Sequence, residues 1–417
     1  MGAEIRRHGR GTPSLEVWNA TVIAAAAVAI ALGGCAAEAG REGEFDADAL
    51  PSLVLTEEVR IGSVDDPDLG FSRITGVQVG ENGSVYVLEA QEREVRVYDG
   101  DGRFVRRVGR QGAGPGELQA PTRFGLLADT VWVYDLQNQR ITLFDPAGEV
   151  AATVPTLGVT IPVAMPGVTA RVRPWEPLPD GRVASRLSVG VAVGGSVTDT
   201  LSAPDLVFDR SGEVVDTVGR HSYTPTTSGS VVMGGLALSV QNPWRDTPLR
   251  FEHAGDSVTI DRGVREGVVP EFRVSRVAAA GDTVYDRRYR YQPRTVDASA
   301  VDERVAALLE SVAQVPVDKS ALESAIRDVL VAPAHHPPVS TYQAGADGSM
   351  WLRRDDDGED HWRWIVLRAD GTPLGETMLP RDATVEWASG ETAWIVEKDE
   401  FDVPWLIRYR VTESDGS

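Results

Sequence analysis

Cysteine is almost absent from this chain: Cys35 stands alone among 417 residues. A single thiol excludes an intrachain disulfide framework and leaves no cysteine elsewhere for catalysis or for a thiolate metal site. Histidine is scarce, with six residues, and no two stand at a ligand-pair spacing. Positive charge is in deficit: 41 Lys and Arg against 62 Asp and Glu leave a net charge of −21. The acids are spread along the chain and no basic stripe offsets them, which argues against nucleic acid as a partner. No apolar run reaches the ~20 residues of a spanning helix. A GxSxG nucleophile elbow is missing too, which argues against a serine hydrolase of that type.

The chain starts with a targeting pattern. Arg6, Arg7 and Arg10 precede a short apolar run from Thr21 to Leu32, and Leu32-Gly33-Gly34-Cys35 follows. Basic, apolar and small-residue regions in that order read as an export signal. The LGGC tetrapeptide resembles the lipobox of bacterial lipoproteins. That resemblance implies cleavage before Cys35, lipidation of Cys35, and a membrane partner reached through the lipid. Residues 1–34 are then the signal peptide and 35–52, rich in Ala, Gly and Glu, a flexible tether. Ala36-Ala37 lacks an Asp retention signal, which favours the outer membrane in a cell that has one.

The body of the chain repeats itself. VYVLEAQEREVRVYDGDG from Val85 aligns without a gap on VWVYDLQNQRITLFDPAG from Val131, with Glu89 over Asp135, Tyr98 over Phe144 and Gly102 over Gly148. Both alternate apolar and polar residues at the period of half-buried strands and close on an acidic-Gly turn. LVFDRSGEVVDTVG at 206–219 restates the second half of the unit. A repeated antiparallel unit of this size predicts an all-β propeller. We count six blades over 53–412, followed by a tail at 413–417. The fourth blade is expected to gather 231–241, 257–262, 271–277 and 283–291. The last blade lacks one strand at its C-terminal end, and Leu53–Ile61 is spare at the other, so that segment is expected to close the ring. Residues 297–330 switch to helical period, with Pro316 dividing two helices and Ser320 and Glu323 spaced as a capping box.

The stretch 108–145 resembles an NHL repeat. Gly112 to Gly116, Leu118, Pro121, Val131–Asp135, Asn138, Arg140-Ile141 and Phe144-Asp145 occupy that family's characteristic places. The first blade departs from the pattern, with Glu92 where Asn138 sits. The chain is also similar to six-bladed propeller lipoproteins of bacterial envelopes that carry a GRxGxGPGE loop. These resemblances imply the fold, while the families mix binding scaffolds with a minority of lyases. NHL-like lyases hold a metal with histidines from several blades, which implies His253, His336 and His361 as candidate ligands of zinc or calcium.

Other constellations read more simply. The Gly-rich loop 109–116 leads into a strand, not a helix, so a structural crossover is expected in place of a phosphate cradle. Asp355–Asp360 reads as an acidic hairpin turn. Six of the ten tryptophans lie between Trp351 and Trp405 and are expected to fill the wedge between blades rather than stack on sugars. Arginine recurs at the entrances to inner strands: Arg73, Arg123, Arg171 and Arg173. Together with Arg140 they are candidates for an anion-attracting channel mouth, the alternative being that each pairs with a blade acid such as Glu89 or Asp135. The expected function is a lipid-anchored extracytoplasmic module that binds a small molecule or an envelope protein. The alternative is a propeller lyase or hydrolase, metal-dependent or not, acting at the channel mouth.

Overall fold

The computed structural model describes residues 42–414, apart from 163–167, 192–200, 224–227, 245–247, 254–255, 264–268, 279 and 355–359. The signal peptide, Cys35 and most of the acidic run at 355–360 lie outside the described residues.

Six antiparallel sheets carry the fold. The first holds Ile74–Val79, Val85–Glu89, Glu94–Tyr98 and Phe104–Val108, in that order from channel to rim. The second repeats it with Pro121–Leu127, Thr130–Asp135, Arg140–Phe144 and Val150–Pro155. The third has Val168–Pro177, Val183–Val191, Leu201–Phe208 and Val214–Tyr223, with Val159–Ile161 added beside the first of these. In the fifth, Thr341–Ala344 leads to Met350–Arg354, His361–Leu367 and Pro373–Pro380. The sixth runs Thr384–Ala388, Thr392–Lys398, Pro404–Glu413, and its outer strand is Leu53–Ile61 from the start of the chain. Leu53 pairs with Glu413 and Ile61 with Leu406, so the ends of the domain close the ring as expected. This is a six-bladed β-propeller.

The middle strands are more buried than their alternation predicts. Every residue of Val85–Glu89 and Glu94–Tyr98 is buried, because blades on both sides cover a blade in a ring. Tyr86, Leu88, Val95 and Val97 of the first blade pack with Phe124, Val131, Val133 and Phe144 of the second. The tryptophans at 351, 364 and 394 are buried as wedge fillers. The acidic-Gly turns repeat one chemistry. Asp99, Asp145 and Asp209 each accept from the backbone N–H groups two and four residues on. Gly102, Gly148 and Gly212 each supply the positive φ that lets the chain reverse.

Three expectations are corrected. The fourth blade starts at Leu249–His253 and continues with Asp256–Asp261, Glu271–Val277 and Thr283–Arg290. The segment 231–241 instead belongs to a separate hairpin, Ser228–Met233 with Leu236–Gln241. Part of the expected tether is structured: Glu42–Asp46 pairs in parallel with the outer strand of the fourth blade, and Ala47 is buried between the fourth and fifth blades. The helices, α1 (Ala298–Ser311) and α2 (Lys319–Val329), form where the period changes, but α2 is capped by Asp318, which accepts from Ser320 and Ala321 N–H. Their apolar stripes are covered by the hairpin. Val305, Leu308, Leu322 and Ile326 pack with Val231, Val240 and Trp244. Both insertions interrupt outer-to-inner crossovers, so both emerge on the propeller face where inner strands begin.

Candidate functional site in the channel

Crossovers between blades are fixed by carboxylates at equivalent places in the repeat. Asp135 is fully buried and accepts from Gln119 and Ala120 N–H at 2.7 and 3.0 Å, from Gln137 and Asn138 N–H, and from Asn138 Nδ2. Glu89 accepts from the N–H groups of Ser72, Arg73 and Gln91. These acids therefore hold backbone, and among the described residues neither is paired with an arginine side chain. Asn138 Nδ2 also donates to the carbonyls of Gly112 and Glu117, and Arg140 Nη2 donates to those of Gly114 and Glu117. The Gly-rich loop is the expected crossover, and Arg140 is one of its ties.

Inner strands of blades five, six, one and two lie against their neighbours in the ring. Arg123, on the inner strand of the second blade, ion-pairs with Glu176 of the third at 2.5 Å. Its guanidinium lies 5.1 Å from the centroid of Trp175 and 5.7 Å from that of Trp132. Arg186, on the second strand of the third blade, stacks on Trp175 at 4.4 Å. Arg173 stands directly opposite Arg186 across the strand pair, and its Nε is buried without a hydrogen-bond partner. Desolvation lowers the pKa of Arg123, Glu176 opposes that shift, and repulsion from Arg186 adds to it. Burial raises the Tyr342 phenol, and the charges of Arg186 and Arg123 pull it back. Tyr342 belongs to the fifth blade. Arg123 and Tyr342 both lie on inner strands, of blades two and five, and inner strands line the central channel of a propeller, so the cluster borders the channel.

The remaining candidates separate. Arg73 is exposed at the entrance of the first inner strand, and its backbone alone is held by Glu89. Arg171 donates to Thr160 Oγ1. His336 is buried, contacts Arg294 through its ring and meets Trp244 edge-on, at the neck of the helical insertion. His361 is exposed at the start of the third strand of blade five. The backbone of His253 lies at the far end of the fourth inner strand, paired with that of Asp256. The three histidines belong to separate elements of the fold, and among the described residues no group of three His, Cys, Asp or Glu could hold a metal ion.

Sequence reasoning missed Arg186, Glu176 and Tyr342. The signal for Arg186 was readable, because pairing the strand RVRPW with VASRL sets one arginine opposite another. It also missed Glu386, at a register shift in the sixth inner strand. Burial without a charged neighbour pushes its carboxyl up to about 7. A cavity of ≈ 580 Å³ opens beside the crossover 62–73, lined by Asp65, Asp66, Phe71, Glu92, Glu94 and Arg96 among others.

Comparison with known proteins agrees with this architecture. Residues 68–153 match the DUF5128 family, described as a 6-bladed beta-propeller. The chain is similar to a DUF4221 family member from Bacteroides vulgatus, with 12% identity, TM-score 0.50, and coverage of 88% of this chain and 100% of that one. A protein of Bacteroides fragilis described as exported aligns over 89% and 99% of the two chains, at 9% identity and TM-score 0.47. Virginiamycin B lyase from Staphylococcus aureus aligns over 85% and 99%, at 10% identity and TM-score 0.35. No curated protein matches the chain significantly in sequence. The family match and the likeness to the DUF4221 member concern the fold.

Proposed function

We propose that this chain is a lipid-anchored, extracytoplasmic binding module whose anionic ligand enters the central channel. One observation carries the reading: guanidiniums from two blades gather in the channel of a protein whose net charge is −21. A positive site in a negative field is selective, since it draws anions that the outer surface repels. The anchor rests on the LGGC pattern at Cys35. Glu42 is already pinned to the fourth blade, and the chain from Cys35 to Glu42 spans at most ~25 Å, so a lipid on Cys35 would hold the ring close to the membrane.

Two measurements test this reading. Melting of the protein with panels of anions and cations at constant ionic strength should show stabilisation by anions alone. Cys35→Ser should release the protein from membranes or leave an uncleaved precursor, and unchanged processing and membrane association would contradict the anchor.

A second reading, catalysis in the channel, is favoured by Glu386. A carboxyl pushed up to about 7 can give or take a proton at neutral pH. Under that reading Glu386→Gln abolishes turnover while leaving anion binding intact.

A further inference from the structure

We propose that the channel cluster is a built site for a small oxyanion of charge −2, the chemistry shared by phosphate monoesters and short dicarboxylates, held by Arg123, Arg173 and Arg186. The proposal rests on the binding-module reading above and names its ligand class and its residues. Arg123 and Arg186 lie over one indole, Trp175, and Arg173 occupies the strand position opposite Arg186; against these three positive charges stands one carboxylate, Glu176, a surplus of two. Like charges placed directly opposite on paired strands repel, and Arg173 and Arg186 are so placed. Arg186 makes no hydrogen bond or ion pair among the described residues. Arg123 gives Glu176 a single Nη2 contact, and Arg173 keeps a buried Nε without an acceptor.

The aromatic neighbours explain how this surplus is tolerated and what it is oriented to do. Trp175 lies beneath both Arg123 and Arg186, and the attraction of an indole face for a cation offsets part of the repulsion. Both guanidinium carbons lie over the Trp175 ring, and a guanidinium resting on an aromatic face can present its N–H edge to oxygens in the bidentate manner arginine favours. Tyr342, across the channel, is close enough for its phenol to feel both cations. A neutral ligand would leave the repulsion as it is, and a monoanion would relieve half of it. A dianion brings the cluster to neutrality.

The test is calorimetric titration of the full domain at low, constant ionic strength. Phosphate at pH 8 and malonate serve as dianions, and acetate as the monoanion. The dianions should bind at least about tenfold more tightly than acetate, and whichever of the two binds more tightly tells a tetrahedral from a planar oxyanion site. Arg186→Ala should weaken the dianion about tenfold or more, with Arg186→Lys between it and the wild type. Glu176→Gln should tighten binding severalfold by removing the competing carboxylate. Melting of the anion-free proteins guards against a merely structural role: Arg186→Ala should melt no lower than the wild type, because it relieves a repulsion. Dianion binding that ignores both Arg186→Ala and Glu176→Gln, or acetate binding as tightly as malonate, would overturn this site while leaving the broader reading standing. Absence of any anion binding would overturn both.

Discussion

The crossovers entering the first and second blades are built on the same repeat and end differently. In the second, Asn138 and Arg140 donate to the carbonyls of Gly112, Gly114 and Glu117 and draw the Gly-rich loop shut. In the first, the same two places hold Glu92 and Glu94, which cannot donate. The crossover 62–73 is instead tied by Arg96 to the Gly70 carbonyl and by Arg107 to Asp68, with Glu94 bridging the two arginines. A cavity of ≈ 580 Å³ remains beside it. What the two share is the acid at the end of the second strand, Glu89 or Asp135, which holds backbone in both. The shared residue makes the blade, and the exchanged pair decides whether its crossover is sealed or open.

Removing the shared acid should have the largest effect. Asp135→Ala leaves several part-buried N–H groups without an acceptor and is expected to cost about 3–5 kcal/mol. Glu89→Ala, with fewer donors to abandon, should cost less, and denaturant midpoints of the two variants give the order directly. An equal or reversed order would break the equivalence.

Glu386 offers the contrast of a carboxyl that has no such donors among the described residues. Its pKa is raised from the ordinary 4.5 to about 7 by burial, so the unfolded chain ionises first as pH rises. Stability is therefore lost between pH 4.5 and about 7, and the deficit persists above that range. Glu386→Gln should match the wild type near pH 4 and exceed it at pH 8 by about 2 kcal/mol, allowing for partial exposure. A gain that is the same at both pH values would show that the carboxyl does not titrate as described.

Smaller effects follow for the exchanged pair. Arg140→Ala should destabilise by about 1–2 kcal/mol and expose 109–118 to proteolysis, because two carbonyl contacts are lost. Glu92→Asn, which restores the sealing residue to the first blade, should change stability by less than about 0.5 kcal/mol yet slow amide exchange in 62–73. Unchanged exchange there would mean that the residue at this place does not govern the crossover.

Much of this fold is legible in the chain because its signals are local. The Asp-Gly turns, the match of 85–102 to 131–148, and the spare strand at 53–61 can all be read along a single stretch. The fourth blade could not be read this way. The hairpin 228–241 alternates as a blade strand does, and its assignment depends on α1 and α2 covering one of its faces. Glu42–Asp46 reads as tether because EGEFD has one apolar residue. It becomes a strand by borrowing the edge of the fourth blade, a contact that no local pattern contains. The site divides likewise. Arg123 and Arg173 stand out at strand entrances, whereas Arg186 and Tyr342 acquire meaning only when blades two, three and five are arranged around one channel.

The central claim is that the channel guanidiniums hold an anion, and an anomalous difference map from crystals soaked in selenate tests it most directly. The account predicts the strongest selenium peak within about 4 Å of the guanidiniums of Arg123 and Arg186. A strongest peak at Arg73 or on the outer surface, with none in the channel, would contradict it.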